Sequence, residues 1–271
     1  MDPFQDRVAV ITGGAGGIGM AMARAFAGRG ARLVLADIDE ERLSQAAKAL
    51  SEEGAEVAGV RTDVTDPSSV DALADATYER FGAAHLVCNN AGIAVLGPMV
   101  NATLADWRIT MDINFWGVVH GCQSFVPRMI EGGERGHVVN TASMAGLTGM
   151  QWLGVYCASK FAVVGLTESL FRELREHGIG VSVLCPMIVE TNLGEHTQQI
   201  LKKSKERTAA VAPPQGQMKG GVIQPPEVAE RVVRAIERGQ LYILTHEEQR
   251  EILRRRAAKQ DEVFEPDHWA L

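Results

Sequence analysis

Short β-rich runs alternate with longer helical patterns along most of this chain, and few architectures accommodate that order. The runs Arg7 to Ile11, Arg32 to Ala36, Val57 to Arg61, His85 to Cys88, His137 to Asn140 and Val181 to Cys185 each read as a strand buried on both faces. Between them, Ile18 to Gly30, Glu40 to Glu53, Pro67 to Phe81, Leu104 to Ile130 and Val155 to His177 carry apolar residues at helical spacing. Each crossover must return the chain to the same end of the sheet, so the pattern predicts an α/β fold: a doubly wound parallel sheet with helices on both faces. No linker interrupts the alternation through Cys185, which predicts a single domain over 1–271. Past Pro186 a polar stretch, Gly194 to Thr208, leads into Pro213, Pro214, Gly216, Gly220 and Gly221, and 194–224 is expected to fold over bound substrate as a lid. A helix opened by Pro225 and Pro226, a last strand over Leu241 to Leu244 and a C-terminal helix and tail over 245–271 complete the expectation, the helix running from Glu247 to Lys259.

The end of the first strand narrows the fold further. Thr12 is followed by Gly13-Gly14-Ala15-Gly16-Gly17-Ile18-Gly19 and then a helical run from Met20. Glycines let the backbone take positive φ and come close to a diphosphate, and a helix N-terminus offers free N–H donors there. The second strand ends at Asp37, about 20 residues past the glycines, where a carboxylate meets the adenosine ribose of a dinucleotide. The sheet is therefore expected to be of Rossmann type. Asp37 would accept from the ribose hydroxyls and repel a 2′-phosphate, and no Lys or Arg lies within the turn, so NAD is the expected cofactor. Capping of the second helix suits Asp39 better than Asp37.

Composition excludes several classes of partner. With 27 Lys and Arg against 34 Asp and Glu, the formal charge is −7, and Arg254, Arg255 and Arg256 sit among acidic neighbours as a solvated face; no nucleic-acid partner is expected. No segment approaches the ~18 uninterrupted apolar residues of a membrane span, and the first residues have no apolar leader pattern. Cys88, Cys122, Cys157 and Cys185 form no C-x-x-C pair, which suits a reducing cytosol and a cytoplasmic protein. His85, His120, His137, His177 and His196 are not spaced as a metal set, so no metal is expected.

The reacting groups come later in the chain. Tyr156 and Lys160 project from one face of a helix. A lysine ammonium there is expected to lower the phenol from ~10 toward neutrality, making Tyr156 a proton carrier for an alcohol or carbonyl. Lys160 would also reach the nicotinamide ribose. With Thr12-Gly13-x-x-x-Gly17-Ile18-Gly19, Asp63-Val64, Asn89-Asn90-Ala91-Gly92, Asn114, Ser143, Tyr156-x-x-x-Lys160 and Pro186 through Thr191, the chain from about Arg7 to about Thr191 resembles the classical short-chain dehydrogenase/reductase family. That resemblance implies that Ser143 orients the substrate oxygen and that Asn114 holds a water linking Lys160 to solvent. It also implies that Asp63 and Val64 flank the adenine, that Asn90, Ala91 and Gly92 pack on the cofactor, and that Pro186, Ile188 and Thr191 hold its nicotinamide end. Asn89 reads as structural. The family carries a glycine after the proline; this chain has Met187, expected to alter the backbone and narrow the substrate pocket.

Ile93, Ala94, Met144, Trp152, Leu153, Met187 and Leu193 are expected around the open site, an apolar lining for a bulky or aromatic secondary alcohol and its ketone. Family members pair through two long helices, here Leu104 to Ile130 and Val155 to His177, which implies a homo-oligomer, a tetramer or dimer. Two other functions share the fold: a non-catalytic NAD(H)-sensing protein, and an epimerase or dehydratase, for which Glu190 and His196 are the visible acid/base candidates.

Overall fold

The computed structural model describes residues 2–203 and 220–264. Its strands are β1 (Val8–Thr12), β2 (Arg32–Asp37), β3 (Val57–Arg61), β4 (Leu86–Asn89), β5 (Gly136–Thr141), β6 (Ile179–Cys185) and β7 (Tyr242–Leu244). All pair in parallel, in the order β3-β2-β1-β4-β5-β6-β7. The order reverses between β1 and β4, and a crevice opens beyond the carboxyl ends of strands that part in this way.

Alternate residues of each strand feed two cores. Ala9 and Ile11 face α1 (Gly17–Ala27), α2 (Glu40–Glu52) and α8 (Pro225–Arg238), meeting Met22, Phe26, Leu43 and Val232. Val8 and Val10 face the other way, toward α3 (Pro67–Phe81), α5 (Gly117–Gly132) and α6 (Gly154–Glu173), where Leu73, Phe125 and Val163 are buried. The fold is thus a single Rossmann-type domain with helices on both faces. Local signals set the helix boundaries: Asp39 accepts from the Arg42 N–H to cap α2, and Asp66 caps α3 just before Pro67.

One expectation is corrected. The stretch Leu104 to Ile130 is not one regular helix: α4 (Leu104–Met111) passes through a π turn at Asp112–Trp116 before α5 begins. The expected lid begins as a helix: Leu193–Lys203 forms α7, which buries Leu201 against Ile93 and Val95. Residues 204–219 of the expected lid lie outside the described residues. The last strand is β7, and the C-terminal helix is α9 (Glu248–Asp261); residues 265–271 of the expected tail lie outside the described residues.

Candidate active site

A cleft of about 370 Å³ lies at the carboxyl ends of the strands, within the size range of cofactor sites. Gly13, Gly17 and Ile18 of the turn after β1 line it. Gly13 and Gly17 take φ +63° and +52°, and a Cβ on Gly19 would stand 2.2 Å from the Gly13 carbonyl oxygen. Gly19 therefore stands behind the cleft, as the close contact that lets the turn fold. No side chain caps the first turn of α1, which leaves its N–H groups and the positive helix end for an anion. These features fit a dinucleotide diphosphate.

Asp37 ends β2 beside that turn. Its carboxylate accepts from the Ala15 N–H (3.2 Å) and the Asp39 N–H (3.1 Å), which fixes its direction while lone pairs remain for further donors. The expectation that basic groups are missing here holds for the turn but not for the cleft. Arg42, on the first turn of α2, lines the cleft with Nη2 2.6 Å from where a Cβ on Gly16 would stand. Asp63 and Val64 line the cleft further on. The Asp63 carboxylate accepts from the Thr65 N–H (2.9 Å) and hydroxyl (2.7 Å), and the Val64 carbonyl accepts from His120 Nδ1 (2.9 Å).

Thr12 and Thr141, the last residues of β1 and β5, tie these elements together. Thr12 Oγ1 accepts from the N–H groups of Asn90 (2.9 Å) and Ala91 (3.1 Å), Asn90 Nδ2 donates to the Thr12 carbonyl (3.0 Å), and Thr141 Oγ1 donates to Asn90 Oδ1 (3.2 Å). Asn90, Ala91 and Gly92 all line the cleft, whereas Asn89 turns inward and donates to Asn140 Oδ1 (2.9 Å). Strand-end threonines are a signal readable in the sequence, since such positions face the crevice in any sheet of this kind.

Tyr156 and Lys160 line the same cleft. Lys160 Nζ is buried, donates to the Thr141 carbonyl (2.8 Å) and lies 5.8 Å from the centre of the Tyr156 ring. Burial lowers Lys160 to about 8 and raises Tyr156 to about 12, while the Ser143 hydroxyl, hydrogen-bonded to the phenol, pulls Tyr156 downward. The expected depression of the phenol toward neutrality is therefore not found: desolvation outweighs the Ser143 hydrogen bond. Ser143 follows β5 and does not itself line the cleft; its Oγ accepts from the Ala145 N–H (3.1 Å).

Asn114 lies behind the cleft, fully buried in the π turn. Its Oδ1 accepts from the Ile93 N–H (2.8 Å), and its Nδ2 donates to the Ile93 carbonyl (2.9 Å) and to Ser159 Oγ (3.1 Å). The absent side chain of Gly92 leaves a point 3.2 Å from Asn114 Oδ1 and 3.4 Å from Lys160 Nζ.

Pro186 and Thr191 line the cleft, but Ile188 stands behind it with its carbonyl accepting from the Ile223 N–H (3.2 Å). Met187 does not narrow this cleft. Its Cε lies 2.9 Å from where a Cβ on Gly220 would stand, so the side chain fills space that the glycine leaves behind the turn. Ile93 and Leu193 line the cleft as expected; Ala94, Met144, Trp152, Leu153 and Met187 do not. Ile109, Ile113 and Ile200 replace them, brought in by α4, the π turn and α7, and their helical spacing gave no sign of which face would be open. Among the described residues, no group of three or more His, Cys, Asp or Glu is placed to hold a metal, and no helix is long and apolar enough to cross a membrane.

A parallel sheet whose switch point carries a phosphate-accepting glycine turn, with a carboxylate closing its second strand, is the build of a dinucleotide-dependent oxidoreductase. Residues 7–201 match the family model described as short chain dehydrogenase, and the chain belongs to that family. It is an NAD-dependent dehydrogenase acting on alcohol groups. A short-chain dehydrogenase/reductase from Burkholderia phymatum, solved in complex with NAD, superposes with a TM-score of 0.90 at 39% identity, covering 96% of each chain. The C alpha-dehydrogenase of Sphingobium sp. is 34% identical over 93% of this chain and 84% of its own length. The 1-deoxy-11-beta-hydroxypentalenate dehydrogenase of Streptomyces exfoliatus is 40% identical over 69% of each.

Proposed function

We propose that this dehydrogenase interconverts a hydrophobic secondary alcohol, bulky or aromatic, and its ketone, with Tyr156 as general acid/base. The observation that carries the reading is the meeting of Tyr156 and Lys160 with the glycine turn and Asp37 in one cleft. Bound NAD supplies the hydride acceptor. In oxidation, the alcohol proton passes to the Tyr156 oxygen as the carbinol carbon loses its hydride; in reduction, the phenol returns that proton to the forming alkoxide. Ser143 orients the substrate oxygen through its hydroxyl. Lys160 stabilises the phenolate while protonated and binds the nicotinamide ribose. Asn114 extends the proton path from Lys160 through a bound water.

Cofactor contacts follow the same order along the cleft. Gly13, Gly17, Ile18 and Gly19 form the diphosphate turn, Asp37 holds the adenosine ribose, and Asp63 and Val64 flank the adenine. Asn90, Ala91 and Gly92 support the sugar of the nicotinamide half, and Pro186, Ile188 and Thr191 close that end. Ile93, Ile109, Ile113, Leu193 and Ile200 give the cleft an apolar wall, which supports a hydrophobic substrate. The name of the Streptomyces relative, a hydroxypentalenate dehydrogenase, supports dehydrogenation of a hydroxylated substrate. The segment 194–224 acts as a lid, 194–203 in α7 and 220–224 being its described parts; protection from protease by NADH plus ketone tests this. Four buried free cysteines favour a cytoplasmic setting.

The test is turnover with NAD on a panel of aryl and alicyclic secondary alcohols beside small hydroxy acids. NADH and ketone from the apolar alcohols alone are expected. Tight NAD binding without turnover of any alcohol or ketone would favour a nucleotide-sensing role instead. Glu190, the epimerase candidate, is exposed and engaged with Gln224, while His196 lines the cleft.

A further inference from the structure

The segment after β7 lies beyond the residues that match the family model, yet it reaches the back of the turn Pro186–Thr191 through buried hydrogen bonds. Gln249, on the first turns of α9, is fully buried. Its Oε1 accepts from the N–H groups of Thr245 (2.8 Å) and His246 (2.9 Å), and its Nε2 donates to the carbonyl of Cys185 (2.8 Å), the last residue of β6. Thr245 Oγ1 accepts from the Met187 N–H (3.2 Å) and lies 2.7 Å from His246 Nδ1. His246 Nε2 lies 2.9 Å from the Gly221 carbonyl.

Only one assignment of protons satisfies this chain for a neutral histidine. A carbonyl can only accept, so His246 Nε2 carries the proton, Nδ1 accepts from the Thr245 hydroxyl, and the Thr245 oxygen keeps a lone pair for the Met187 N–H. Two residues past Gly221, Ile223 donates to the Ile188 carbonyl (3.2 Å) and accepts from the Glu190 N–H (3.0 Å). The turn is thus gripped at Met187, Ile188 and Glu190 from the side away from the cleft.

We propose that Thr245, His246 and Gln249 are positioning residues that hold the turn Pro186–Thr191 against the nicotinamide half of bound NAD. This rests on the reading that the turn closes the nicotinamide end. Thr245→Val keeps the side-chain shape and removes both the acceptor for Met187 and the donor to His246. The dissociation constant for NADH is expected to rise about tenfold, the loss of roughly one buried hydrogen bond, while that for ADP-ribose, which lacks the nicotinamide, stays unchanged. Thr245→Ser is expected to restore NADH binding. Gln249→Met, measured in the same way, provides the reading if Thr245→Val does not fold. Equal weakening of both ligands, or no change in either, overturns the proposal. Wild-type protein that binds NADH no more tightly than ADP-ribose would instead remove the placement of the nicotinamide on which the proposal rests.

Discussion

Asp37 and Arg42 face the same end of the cleft with opposite charges. The role of Asp37 is legible in the sequence, because its distance from the glycine turn is set by the length of one βα unit. Arg42 is not, because only the cap at Asp39 and the direction of α2 bring it to Gly16. With Asp37 replaced by Ala, the repulsion of a 2′-phosphate disappears while the guanidinium stays. Asp37→Ala is therefore expected to raise the NADP-to-NAD ratio of kcat/KM at least about tenfold, and Arg42→Ala in that background to remove much of the gain. An unchanged ratio in Asp37→Ala would contradict the ribose contact. Tyr156 and Lys160 show a different boundary of legibility. Their spacing placed them on one face, but their titration depends on burial by residues distant in the chain, which raises the phenol to about 12 and lowers the amine to about 8.

The helix predicted over Leu104 to Ile130 shows what periodicity misses. A π turn widens one turn of helix by about one residue, a local change that the spacing of apolar residues did not report, and on it Asn114 reaches Ile93. Strand β5 carries a second polar feature hidden by its apolar neighbours. His137 is buried with its Nε2 2.8 Å from Ser182 Oγ, and its ring fills the space beside Gly180, where a Cβ would lie 2.3 Å from Nδ1. Burial pushes His137 from 6.5 down to about 4, so the unfolded chain takes up a proton at a pH where the folded protein still refuses it. The folded state should keep this advantage above pH 6.5 and lose it as pH falls from 6.5 toward 4, by about 3 kcal/mol in all. Thermal melts of wild type and His137→Gln between pH 7 and 4 are expected to show a shallower acid dependence for the variant. Parallel curves would mean that His137 contributes nothing to acid lability.

At the scale of the whole molecule, the doubly wound parallel sheet follows from the alternation of elements and right-handed crossovers, whereas the strand order does not, because more than one order shares that alternation. What the alternation could not show is where distant segments close on each other. Gln249 meets Cys185 across 64 positions, and Met187 packs beside Gly220 instead of entering the cleft. The expected homo-oligomer is also decided at this scale. Trp116 remains 48% exposed beside the π turn, and Leu104 at the start of α4 is 70% exposed, whereas Val164 belongs to the core. A dimer or tetramer through these helices would cover them, and light scattering is expected to show a mass of two or four chains that Trp116→Glu reduces; a monomeric wild type would exclude the assembly. In the proposed reaction Tyr156 moves the proton of an alcohol whose hydride goes to NAD. Its most direct test is NADH formation by wild type and Tyr156→Phe on an apolar secondary alcohol, with NADH binding measured in both. The variant is expected to bind NADH as wild type does and to lose at least about a hundredfold in kcat. Turnover by Tyr156→Phe at the wild-type rate would contradict it.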